Sequence, residues 1–100
     1  MQIAASLYAS ILQIESIRII DTSLSFTKYE TNHAKADFDV TAYNFADTNY
    51  FGIVYAPNNN YPIAKLTPIT ATNAFVIMFN VTNTVTLNCK ILLLKYRSII

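Results

Sequence analysis

The chain has 100 residues, of which 53% are apolar and only 13% charged; seven Lys/Arg against six Asp/Glu leave a formal charge of +1. That length fits one domain, and the charged fraction is about half the ~25% usual for soluble domains. The seven Tyr and six Phe exclude a charged disordered tail, the single Cys89 excludes a disulfide scaffold, and the missing basic surplus excludes a nucleic-acid binder that works by counterion release.

Residues 1–13 read as an N-terminal arm or a short helix or strand preceding one domain over 14–100. Ile3, Leu7, Ile11 and Ile14 recur at helical spacing, whereas Leu7, Ala9 and Ile11 also fit one face of a strand. No Lys or Arg precedes this apolar stretch and no clear cleavage site follows it, so it is a poor secretory signal and synthesis in the cytoplasm is expected. No run is long enough for a spanning helix, and one hundred residues barely allow a small membrane β-barrel.

Beyond the arm, Ile, Val, Thr, Phe and Tyr supply 42 residues, all strand formers. Turn signals recur at Asp21-Thr22-Ser23, Glu30–His33, Ala46–Asn49, Pro57–Pro62, Thr72-Asn73 and Thr82–Thr84. With Gly52 the only glycine, Asn and Asp are expected at left-handed turn positions. Between the turns the pattern predicts strands near 14–20, 24–29, 35–45, 50–55, 63–71, 74–82 and 85–96. Ala36, Phe38, Val40 and Ala42 alternate with Lys35, Asp37, Asp39 and Thr41, one face for a core and one for water. Pro68 makes 63–71 an edge strand or splits it. The expected fold is all-β, an antiparallel sandwich of about seven to eight strands, single jelly-roll-like in one version.

Two segments depart from simple alternation. In 74–82, Phe75, Ile77, Phe79 and Val81 make one apolar face, yet Ala74, Val76 and Met78 occupy the other. In 85–96, Val85, Leu87, Cys89, Ile91 and Leu93 make one face, and the other changes from Thr86, Asn88 and Lys90 to Leu92, Leu94 and Tyr96. Strand side chains alternate strictly, so the second set needs its own cover, from the N-terminal segment or from another chain. Val76, Met78, Leu92, Leu94 and Tyr96 are the expected interface.

Signals for catalysis are weak. His33 with Asp37 and Asp39 carries metal-ligand side-chain types, but His33 falls at a turn and the aspartates on a solvated strand face. Cys89 lies among apolar neighbours as an inert thiol, and the chain holds no phosphate-cradling loop or nucleophile elbow. Asn80-Val81-Thr82 matches a glycosylation acceptor without a secretory context. The expectation is therefore a non-enzyme with no catalytic residue, metal or cofactor. Twenty-nine Thr, Asn, Ser and Gln side chains near zero net charge suit packing against other chains better than free dispersal.

No motif assigns the chain to a family, although its composition resembles that of single jelly-roll coat or tail proteins by fold-level analogy. The leading expectation is a structural subunit that packs with copies of itself or other structural subunits into a virion or similar assembly, with no direct nucleic-acid binding and no membrane span. The alternative is a glycan- or peptide-binding module using Tyr50, Tyr55, Asn59 and Tyr61, because rings offer apolar platforms beside directional amides.

Overall fold

The computed structural model describes residues 12–57, 59, 62–81 and 83–98. Six antiparallel strands make the architecture: β1 (Leu12–Glu30), β2 (His33–Asp39), β3 (Tyr50–Tyr55), β4 (Thr67–Pro68), β5 (Asn73–Phe79) and β6 (Val85–Ser98). One short 3-10 turn, Thr41–Tyr43, follows β2. The strand order is β3-β6-β1-β2-β5-β4. Beyond β4 the sheet comes back to β3, because Gly52 and Leu66 exchange backbone hydrogen bonds of 3.1 and 2.8 Å. The sheet is thereby curled into a nearly closed barrel.

The chain is all-β as expected, but the described residues form six strands where seven or eight were predicted. The predicted strands 14–20 and 24–29 are one continuous β1. Asp21-Thr22-Ser23 does not turn, because these residues pair across to Lys90, Cys89 and Asn88 of β6. The Asp21–Lys90 ion pair at 2.6 Å and the Ser23–Asn88 hydrogen bond at 2.7 Å are cross-strand contacts that a straight strand satisfies. Of the predicted 63–71, only Thr67–Pro68 is a strand, and Ile63 and Leu66 make single bridges. Of the N-terminal arm, residues 1–11 lie outside the described residues, and β1 begins at Leu12.

The length of β1 organises the barrel. Its residues Leu12 to Phe26 pair with β6, and its last residues, from Thr27, pair with β2. One strand therefore serves two sheet halves, and Leu24 and Phe26, near where they join, are buried. The core comprises Leu24, Phe26, Ala34, Ala36, Val40, Tyr50, Leu66, Ala74, Val76, Met78, Ile91 and Leu93 with smaller neighbours. Asn32, Asn44 and Asn80 take the left-handed backbone conformation at turns, where their short polar side chains tolerate it.

The two faces of β5 are assigned the opposite way from the sequence expectation. Register places Met78 opposite Ala34 and Val76 opposite Ala36. Directly opposite residues point to the same side, so Val76 and Met78 share the core with the two alanines and are fully buried. They are not part of a second apolar surface. Phe75, Ile77 and Phe79 face outward instead. His33 stands edge-on to Phe79 at 5.1 Å, and the Lys35 ammonium lies 5.1 Å from the Phe75 ring.

Candidate functional site

The second apolar surface lies on the outside of β3, β6 and β1. In β6, Cys89, Ile91, Leu93 and Lys95 point inward and are buried. Strict alternation then turns Leu92, Leu94 and Tyr96 outward. Register fixes their neighbours. Leu94 lies between Ile17 of β1 and Phe51 of β3, and Leu92 between Ile19 and Ile53. Two rows of three apolar side chains result, and Ile14 beside Tyr96 extends them by a third. The Phe51 and Tyr96 rings are 6.1 Å apart.

The four isoleucines of this face are open to water, whereas Phe51, Leu92, Leu94 and Tyr96 are half-buried. Ile19 is 74% exposed, Ile17 59%, Ile53 54% and Ile14 48%. They account for four of the seven exposed large apolar residues among those described. The outer face changes character abruptly further along the same strands. The next row holds the Asp21–Lys90 ion pair with Tyr55, then Ser23 bonded to Asn88, then Ser25 beside Thr86 at 3.2 Å. Half of one face thus carries the hydroxyls and charges of a solvated sheet, and the other half is aliphatic.

No known family, curated protein or solved structure matches the chain.

Of the five interface residues expected from sequence, Leu92, Leu94 and Tyr96 converge here, whereas Val76 and Met78 are core. Ile17, Ile19, Phe51 and Ile53 were missed. Their signal was present, since Ile17-Arg18-Ile19-Ile20 and Phe51-Gly52-Ile53-Val54 also carry apolar groups at both parities.

A polar cleft opens beside this face. Glu15, Ser16, Tyr43, Asn44, Phe45, Ala46, Asp47 and Lys95 line a hollow of about 290 Å³. Lys95 is buried, donating to the Tyr96 carbonyl at 2.7 Å and pairing with Asp47 at 3.1 Å. The Asp47 carboxyl is held below its usual range, first by the Asn49 backbone N–H at 2.9 Å and then by Lys95. The charge of Lys95 is thus already answered within the chain, as a buried ammonium requires.

Among the described residues, the other sequence candidates do not come together into a site. Tyr50 is fully buried, with its hydroxyl 2.7 Å from the Thr70 carbonyl and 2.9 Å from that of Asn73, and its ring stacks on Phe45. It offers no platform to a glycan or peptide. Tyr55 lies at the opposite end of β3 and is exposed; Asn59 is half-buried, and Tyr61 lies outside the described residues. His33 sits 3.6 Å from Glu30 and edge-on to Phe79. Asp37 and Asp39 are exposed on the same strand, and the Asp39 carboxylate accepts the Thr41 N–H at 2.8 Å. Cys89 is buried, and burial pushes its thiol up from its ordinary range.

Proposed function

We propose that the protein is a structural subunit that packs with copies of itself into a multi-copy assembly through the outer apolar half of β3, β6 and β1. The observation that supports this reading most is the cross-strand row of Ile19, Leu92 and Ile53, apolar across three strands and exposed at both ends. Aliphatic area left in water is unfavourable by about 25 cal/mol per Å², and the main apolar patch of a small protein, a few hundred Å² in size, is often functional. A net charge of +1 supplies little repulsion to keep copies apart. Work of this kind is done by shape and surface complementarity rather than by chemistry. A virus shell, tail or filament is the setting it suits.

The test replaces Leu92 and Leu94 together by Thr, which keeps strand propensity and removes the aliphatic surface. By light scattering, the wild-type mass should stand well above the 11.3 kDa of one chain. The double variant should fall toward one chain while its thermal transition stays cooperative. A wild type that stays at one chain's mass across the concentration series refutes the reading. Loss of the folded state in the double variant also refutes it, because the surface would then be internal core.

A further inference from the structure

Among the described residues, the apolar face ends at a strand edge that no other strand pairs with. β6 pairs with one side of β1 from Leu12 to Phe26, and β2 meets β1 only from Thr27 onward. Among the described residues, no strand lies along the other side of β1 before Thr27. Such an edge presents a row of unpaired N–H and C=O groups. Proteins guard an edge with Pro, Lys, bulges or inward-pointing charges; residues 12–26 contain no Pro or Lys, and carry one bulge at Ile14/Ser16 and one inner-face cation, Arg18.

We propose that this edge pairs antiparallel with the β1 edge of a second copy, about a two-fold axis through Ile17; this rests on the self-association proposed above and specifies how it is built. Two neighbouring subunits would then share one sheet in the order β3-β6-β1-β1-β6-β3. The side-chain pattern selects the register. A bulge between Ile14 and Ser16 sets Ile14, Ile17 and Ile19 on the outer face, opposite Tyr96, Leu94 and Leu92. On the inner side, Ser16 lies opposite Lys95 and Arg18 opposite Leu93, while Glu15 lines the Lys95 cleft beside Ser16. The Arg18 guanidinium sits over Tyr43 of that same cleft, at 5.4 Å.

With the axis at Ile17, Ile17 meets Ile17 of the second copy, and Ile19 meets Ile14 of the second copy twice. On the inner side Arg18 comes beside Ser16 and Glu15 of the second copy, also twice, so opposite charges meet. The neighbouring registers are poorer. An axis at Arg18 sets two guanidinium groups against each other, and an axis at Ile19 sets Ile17 against Asp21. The self-matching of both faces is what points to a second copy of this chain as the occupant.

Area leads to the same partner. Three strands and three rows of side chains project about 14 by 20 Å, or about 280 Å². A stable interface buries about 800 Å² per partner, so the apolar half-face holds a neighbour together with the edge beside it. Joining two edges adds a backbone ladder and fuses the two half-faces into one surface twice as large.

The experiment uses single-cysteine substitutions in the full chain under mild oxidation, with light-scattering mass recorded on the same samples. Ile17→Cys should give a disulfide-linked dimer. Ile14→Cys and Ile19→Cys should each crosslink poorly alone and well when mixed, and Ser23→Cys should not crosslink. Arg18→Glu should raise the dissociation constant on the order of tenfold, and adding Glu15→Arg should restore it. Multimers in which Ile53→Cys and Leu92→Cys, tested alongside, crosslink as well as Ile17→Cys refute the edge pairing and leave the structural-subunit reading standing. A mass of one chain refutes both. Amides of β1 that resist hydrogen exchange in dilute monomer, and lose that protection when residues 1–11 are deleted, also overturn the pairing, because the chain would then cover its own edge.

Discussion

Gly52 is the only glycine in the chain, and it does not sit there for its backbone freedom, because its φ is not positive. It sits there for space. A Cβ at this position would lie 3.0 Å from Ile91 Cγ2 and 3.0 Å from Leu66 Cβ, both on fully buried residues. It would also part the two backbone hydrogen bonds between Gly52 and Leu66 that bring β3 to the strand beyond it. Overpacking of this kind costs about 1–3 kcal/mol. Replacing Gly by Ala returns about 0.4–1 kcal/mol by restricting the unfolded chain. Gly52→Ala should therefore lose about 1–2 kcal/mol net. At about 4–8 °C per kcal/mol for a domain of this size, Tm should fall by about 5–15 °C. Urea unfolding followed by circular dichroism measures the loss directly. Adding Leu66→Ala should not rescue the variant, since alanine keeps the crowding Cβ of position 66 and Ile91 Cγ2 stays in place. A Gly52→Ala protein as stable as wild type, or more stable, would refute the barrel closure through Gly52 and Leu66.

Tyr50→Phe leaves the Thr70 and Asn73 carbonyls without the hydroxyl, and the urea midpoint should fall by an amount equal to about 1–2 kcal/mol. The Asp47 carboxyl is held below its ordinary 3.8, so the stability it brings is present above that value and is lost as pH falls through its lower folded value. Asp47→Asn should accordingly be less stable at neutral pH and lose stability less steeply in acid, as seen in thermal melts across a pH series. Cys89, buried with its thiol pushed up, should react with a disulfide reagent at about pH 8 only as fast as the barrel opens, and immediately in denaturant.

Much of this architecture is legible in the residues. The all-β class follows from the strand formers, 50–55 is the strand as drawn, and the Leu92, Leu94 and Tyr96 parity shows directly that β6 has two apolar faces. What a single chain does not reveal is register. The Ala74–Phe79 pattern is apolar at both parities, and only pairing with Ala34 and Ala36 decides that Val76 and Met78 go inward. Likewise Asp21-Thr22-Ser23 has turn composition, but its polar groups meet Lys90 and Asn88 across the ladder, which straightens the strand. The candidate surface was half visible for the same reason. Leu92 and Leu94 announce it, while Ile17, Ile19, Phe51 and Ile53 join it only once three strands are aligned.

The central claim is that the aliphatic half of this outer face holds subunits together. Its most direct test is the mass of the native protein by light scattering over a dilution series, wild type beside Leu92→Thr/Leu94→Thr. A wild-type mass of several chains that drops toward a single folded chain in the variant is the predicted result. A wild type that is a single chain at every concentration contradicts it.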